Sequence, residues 1–160
     1  MSHRASELAA RLEHGANALV KLAEGLSDTD WMKPLPTDGR PIGIVIHHVA
    51  SVYPLEVQVA QKIAQGEAIT GVTMDAIAQM NAGHAKDHAS VSKADTITLL
   101  KKNSKDAAEA IRAFTDAQLD AASPNSLYAD APLTAQFFIE DHALRHSYHH
   151  RTRIEAALGR

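Results

Sequence analysis

Residues 141–150 read Asp-His-Ala-Leu-Arg-His-Ser-Tyr-His-His and place four histidines within nine positions. They lie in a segment, residues 133–158, whose apolar spacing predicts the last helix of the chain. His142, His146 and His150 are each four residues apart, so they lie along one stripe of that helix. Two histidines with this spacing can bind one metal ion from a single helical face. The first hypothesis is therefore a metal site inside a helical protein.

Three further segments have apolar residues at helical spacing, and together with the last they predict an all-α fold. These segments are residues 6–26, 41–65 and 93–115. Ser6 is a candidate N-cap of the first helix, and Gly66 closes the second. Pro54 removes the hydrogen bond to the Ala50 carbonyl, which predicts a kink in the second helix.

The connecting segments carry a weaker pattern. Residues 27–41 and 116–132 contain prolines and other turn residues, which predict loops. The segment from 67 to 90 has the least regular pattern, with a short helix predicted at 74–80. The sequence leaves open whether this segment covers the site as a lid.

Length and composition restrict the class of protein. The chain has 160 residues, which predicts a single domain over 1–160. It contains no cysteine, which excludes disulfides, thiolate zinc sites and a cysteine nucleophile. The net charge of −3 argues against a nucleic-acid partner. Without an apolar signal core or an obvious membrane span, the sequence predicts a soluble, cytoplasmic protein that does not bind membranes.

Helical angles indicate which histidines face the interior. At about 100° per residue, His48 falls in the middle of the apolar sector of the second helix, whereas His47 falls in its polar sector. On the last helix, His146 and His150 straddle the centre of the apolar sector. We therefore predict that His48, His146 and His150 point inward and that His47 faces water.

Other histidines have different expected roles. His84 and His88 also have i, i+4 spacing, but their polar neighbours predict a solvated surface. His142 and His149 lie at the edge of the inward stripe, where they could tune a site or carry protons. The alternative for the whole group is a set of hydrogen-bonded core residues, because an unpaired buried polar group costs roughly 1–3 kcal/mol.

The motifs, taken in order, resemble the DinB-like superfamily. A Leu-Ser-Asp-x-Asp-Trp loop at 26–31 precedes a helix with His-Val-Ala at 48–50. Phe-Thr-Asp-x-x-Leu at 114–119 then precedes the last helix, with His-x-x-x-His-x-x-His-His at 142–150. This order covers nearly the whole chain. The resemblance implies a four-helix bundle with long crossover connections.

The resemblance also implies one divalent metal, with zinc or nickel as the usual occupant, held by His48, His146 and His150. Relatives with assigned activity include thiol-dependent transferases that use mycothiol, bacillithiol or glutathione. It therefore implies a low-molecular-weight thiol, a small-molecule substrate and, as in many relatives, a homodimer. Many relatives have Gly-Gln after the His-His-Arg segment, where this chain has Thr152-Arg153, so the rim of the pocket is expected to differ.

The leading hypothesis is a metal-dependent thiol S-transferase acting on a small electrophile, with catalytic residues not identified by the sequence. A metal-dependent hydrolase is the second enzyme hypothesis, and it lacks an obvious general base. A non-catalytic metal-binding or small-ligand-binding stress-response protein is the third. In the fourth, the histidines are purely structural.

Overall fold

The computed structural model describes residues 2–36 and 38–160, and it is mostly helical. The helices are α1 (His3–Glu24), α2 (Asp28–Met32), α3 (Ile42–Ala64), α4 (Met74–Asp87), α5 (Lys93–Arg112), α6 (Asp116–Asp120), α7 (Ala135–Phe138) and α8 (Arg145–Leu158). A two-stranded antiparallel hairpin, β1 (Ala122–Asn125) and β2 (Ala131–Thr134), precedes α7, and a single 3₁₀ turn (Ser126–Tyr128) joins its strands.

Four long elements build a helical bundle, which confirms the predicted fold class. They are α1, α3, α5 and a C-terminal helix that runs without a break through α7, a π-helical segment and α8. Helix α5 packs against α1 and α3, and the C-terminal helix packs against the same two. Consecutive long helices α1 and α3 therefore lie mostly across the bundle from each other, which requires long connections between them.

The first helix begins earlier than the sequence suggested. Ser2, not Ser6, is the N-cap, because its hydroxyl accepts a hydrogen bond from the Ala5 backbone N–H. Ser6 lies inside α1, where its hydroxyl donates to the Ser2 carbonyl. Serine serves equally well at both positions by type, so the N-cap preference alone could not choose between them.

Pro54 lies within α3, as predicted, and the carbonyl it leaves without an intrahelical partner is bonded elsewhere. The side-chain amide of Asn103 on α5 donates to the Ala50 carbonyl at 2.8 Å. Ala50 is fully buried, so an unpaired carbonyl there would be costly. This hydrogen bond keeps α3 helical one turn after its histidines.

Two predicted connections contain more structure than expected. Helix α4 extends to Asp87, well past the predicted 74–80, although none of its residues is buried. The predicted loop 116–132 instead holds α6 and most of the hairpin. A capping box at Thr115 and Gln118 supports α6, and short strands with prolines gave no alternating pattern to reveal the hairpin.

The C-terminal helix contains a π-helical segment, Ile139–Leu144, just before the histidine-rich turns. A π segment has wider turns than an α-helix, so residues before it are rotated relative to those after it. His142 lies in this segment, which removes it from the stripe that it would share with His146 and His150 in a regular helix.

Close approach between helices positions the C-terminal helix. A Cβ atom on Gly15 of α1 would lie 2.4 Å from the ring of Tyr148, which only glycine avoids.

By length and composition α3 could cross a membrane, contrary to the expectation from the sequence, but 67% of its apolar window is buried inside the bundle. That burial is the ordinary property of a core helix.

Candidate metal centre

The structure brings together His48 of α3 with His146 and His150 of α8, and we call these three residues the inner cluster. The ring centroid of His48 lies 5.0 Å from that of His146 and 5.8 Å from that of His150. Those of His146 and His150 are 4.9 Å apart. One nitrogen from each ring lies within 4.8 Å of the others. Small ring rotations would let one ion reach all three.

Burial favours the neutral form of His48 and His150, which is the form that binds metals. His48 and His150 are 5% and 6% exposed. Loss of hydration, followed by repulsion from His146, lowers the pKa of His48 to about 3 and that of His150 to about 2. Nδ1 of His150 is buried and has no hydrogen-bond partner among the described residues. Three imidazoles whose ring nitrogens converge are the ligand type that suits a divalent transition metal.

A carboxylate orients one of the inner rings. Oε1 of Glu56, on α3, lies 2.7 Å from Nδ1 of His146. Because a carboxylate accepts, Nδ1–H of His146 donates, and in the neutral ring this leaves the lone pair of Nε2 for an ion. Such carboxylate–histidine pairs typically fix the tautomer of a metal-ligating histidine. Glu56 is 7% exposed, and its second oxygen has no hydrogen-bond partner among the described residues.

The sequence pattern did not single out Glu56, and the two acidic residues that directly precede the histidine-rich turns have other partners. Glu140 pairs with Arg11 on α1, and Asp141 accepts a hydrogen bond from the Tyr128 hydroxyl. Glu56 follows His48 by about two helical turns and lies about 80° from it around α3. The apolar sector of α3 ends just short of Glu56, so the helical angles did not single out this carboxylate.

A small cleft lies beside the inner cluster. Its volume is about 120 Å³, and its lining comes from the C-terminal helix: Asp141, His142, Arg145, His146, His149 and His150. A larger hollow of about 540 Å³ lies between Ser2 and residues 112–116 and has no histidine in its lining. Of the two, the smaller cleft is therefore the better candidate for an active site, because histidines line it.

The edge histidines have separate surroundings. The ring of His142 stacks on Phe138 with centroids 4.3 Å apart, and its Nε2 lies 2.7 Å from the Tyr128 hydroxyl. Burial lowers the pKa of His142 and also that of the more exposed His149. The structure thus places both beside the inner cluster and outside it.

Arg153 lies near the mouth of the bundle, where its guanidinium approaches Asp38 with 3.5 Å between Nη1 and Oδ2. Asp38 also pairs with Arg40, and that hydrogen-bonded pairing holds the carboxyl pKa below its usual value. Arg153 is therefore paired with a carboxylate from the connection between α2 and α3.

A second group of histidines contradicts two expectations. His47 does not face water: it is 8% exposed and packs under α4. His84 and His88 are half-buried and lie against it, with ring centroids 5.0 and 4.3 Å from that of His47. We call these three residues the outer cluster. The helical angles of α3 describe only its own faces, so they could not show that α4 covers His47.

Comparison with known proteins agrees with this architecture. The model of the DinB superfamily matches residues 11–154, whereas no curated protein matches the chain. Among solved structures, the chain is similar to YfiT from Bacillus subtilis, with a TM-score of 0.76 and 18% identity over 99% of this chain and 90% of that one. That protein is described as a probable metal-dependent hydrolase with an unusual four-helix bundle topology.

At this level of identity the likeness to YfiT establishes a shared fold. The family match covers most of the chain and confirms the resemblance inferred from its motifs. The chain belongs to the DinB superfamily.

Proposed function

We propose that this protein is a metal-dependent thiol S-transferase in which His48, His146 and His150 hold a divalent ion, with zinc or nickel as the first candidates. The observation that carries the proposal is the convergence of three histidine side chains beside a cleft. Three protein ligands with an open position are typical of catalytic metal sites, whereas structural sites are closed by four. An ion bound there would lower the pKa of a thiol or water that occupies its open position.

The absence of cysteine supports an external nucleophile. No thiol of the chain can attack a substrate, so a thiol-transfer reaction needs a small thiol from solution. The 120 Å³ cleft reaches His146 and His150 directly. It is large enough for the sulfur of a thiol and the reacting atom of an electrophile to meet there, with the rest of each molecule outside it.

The residues around the cleft have assignable tasks. Glu56 holds His146 in one tautomer through the 2.7 Å contact. Arg145 is exposed at the rim of the cleft, where its guanidinium can attract an anionic part of the thiol or the electrophile. His149, kept mainly neutral by partial burial, can accept a proton from an incoming group and return it to a leaving group.

A metal-dependent hydrolase is the second candidate, and one observation favours it. The sequence suggested no general base, yet the structure places His142 and His149 at the cleft, both with lowered pKa values. A neutral histidine can take the proton of an attacking water. The description of the similar YfiT structure agrees with this chemistry.

Turnover assays with metal-loaded, untagged protein would separate these functions. Each of mycothiol, bacillithiol and glutathione would be combined with a panel of small electrophiles, and ester and amide hydrolysis would be measured without thiol. We expect thiol-dependent product that disappears with a chelator and in His146→Ala. Hydrolysis without thiol would replace the first proposal by the second. No turnover of either kind, with the ion bound, would leave a non-catalytic binding protein.

A further inference from the structure

The outer cluster consists of side chains that the proposed function does not use. Nδ1 of His47 lies 2.8 Å from Nε2 of His84, and the centroids of His84 and His88 are 4.7 Å apart. One ring nitrogen from each of the three lies within 4.8 Å of the others, the same criterion that the inner cluster meets. Two ligands come from one turn at the end of α4 and the third from α3.

We propose that His47, His84 and His88 form a second site for a divalent transition-metal ion, separate from the inner cluster and beside it. The ligand chemistry is that of three imidazoles, which suits zinc, nickel, cobalt or copper and does not suit magnesium or calcium. Cysteine cannot contribute, because the chain has none.

The hydrogen bond between His47 and His84 does not by itself account for the group. It uses one nitrogen of each ring, and Nδ1 of His84 remains buried without a partner among the described residues. His88 adds a third ring against both. Protonation does not explain the packing either, because three imidazolium ions at these distances would repel one another. An ion gives the lone pairs of all three rings a common partner.

The state of α4 is a second, independent observation. None of the residues of α4 is buried, so apolar packing does little to hold this helix against α3. An exposed 14-residue helix is marginal by itself. An ion bridging His47 to His84 and His88 would fasten α4 to the bundle core. Metal binding would then strengthen the docking of α4 against α3.

The two sites are neighbours. His47 and His48 are consecutive, and the ring of His84 lies edge-on to that of His48 with centroids 5.5 Å apart. An ion that holds α4 against α3 would therefore also hold α4 beside the inner cluster. The outer ion need not take part in the reaction to have this effect.

The test measures zinc bound per chain by equilibrium dialysis and elemental mass spectrometry, with untagged protein first stripped by a chelator. The variants are H84Q/H88Q for the outer cluster and H146Q/H150Q for the inner one. The matched control is H3Q/H14Q, which removes two exposed histidines that belong to neither cluster. We expect two zinc ions per chain in the wild type and control, and one in each cluster variant.

Retention of the inner ion in H84Q/H88Q shows that this variant is folded. Hydrogen exchange gives a second readout: zinc should slow exchange of the α4 amides at least tenfold in the wild type and not in H84Q/H88Q. The proposal is overturned if H84Q/H88Q binds as much zinc as the wild type, or if the second equivalent is lost in H3Q/H14Q instead. Neither result would affect the inner cluster, which H146Q/H150Q tests separately.

Discussion

The inner and outer clusters begin at consecutive residues, yet they differ in what holds their remaining members. His48 and His47 point about 100° apart around α3. His48 meets two histidines of α8, a helix packed against α1 and α3. His47 meets two histidines of α4, which buries no residue. The bundle core thus positions the inner cluster without an ion, whereas the outer cluster depends on contacts at the edge of the molecule. Similar ligand sets can therefore differ in how firmly the rest of the protein holds them in place.

The comparison predicts its largest effect on turnover. His150→Ala removes an inner ligand. Loss of a residue that only hydrogen-bonds to a metal ligand typically lowers activity by up to roughly 100-fold, so we expect the loss of the ligand itself to lower activity by more than that. His88→Ala removes an outer ligand and should cost much less, since no outer ring lines the cleft. Steady-state kinetics with His3→Ala as the control would measure both. Equal losses in the two variants would remove the distinction between the clusters.

Acid should destabilise the metal-free protein mainly through the inner cluster. The unfolded chain binds protons on histidine near pH 6.5, whereas the folded protein keeps His48 and His150 neutral down to about 3 and 2. Because the unfolded state binds more protons in this window, folding stability falls as the pH drops below about 6.5, by about 1.4 kcal/mol per pH unit for each ring.

Urea denaturation of chelator-treated protein between pH 7 and pH 4 would measure that slope. His150→Gln should have a shallower slope, by one ring's contribution, while His84→Gln changes it less because its ring is more exposed. An identical slope in wild type and His150→Gln would mean that His150 is not kept neutral by burial.

Glu56→Gln should selectively lower the affinity of the inner cluster for its ion. The amide can still receive a hydrogen bond from His146, but it lacks the charge that strengthens the donated bond. We expect metal affinity at the inner cluster to fall by roughly 10–100-fold, with little change at the outer cluster. Competition with a metal-binding dye would measure both affinities, with Glu67→Gln on the exposed surface as the control. An unchanged inner affinity would contradict the orienting role of Glu56.

The smallest expected effect is on the stability of α3, the helix that carries a histidine of each cluster. Asn103→Ala removes the donor to the Ala50 carbonyl, and we expect the free energy of unfolding to fall by about 1–2 kcal/mol. Urea denaturation would measure it, with the exposed neighbour Lys102→Ala as control. A change no larger than that of the control would mean that water replaces Asn103 at this carbonyl.

The sequence was sufficient to predict the parts of the molecule whose structure follows from a repeating local pattern. The long helices and the inward orientation of His48, His146 and His150 follow from apolar spacing, since each side chain is placed by its own helix. The consequence of Pro54 at the Ala50 carbonyl was also local, although its partner Asn103 was not. Glu56 lies about 80° from His48, just beyond the sector that the apolar residues marked as inward, so those angles did not identify it.

The remaining features depend on contacts between distant segments. His47 is buried because α4 covers it, and no property of α3 reveals where α4 docks. The fully exposed or half-buried residues of α4 give it a weak pattern, so its length was underestimated. The π-helical segment that turns His142 toward Tyr128 breaks the regular angle on which the stripe argument relied.

The most direct test of the central claim is anomalous diffraction at the zinc absorption edge, from crystals of untagged protein grown with zinc. The account predicts a peak about 2.0–2.1 Å from one ring nitrogen each of His48, His146 and His150. It also predicts a second, separate peak among His47, His84 and His88. Zinc absent from the inner cluster, with His48, His146 and His150 bonded only to protein groups or water, would contradict the claim that these residues form a metal centre.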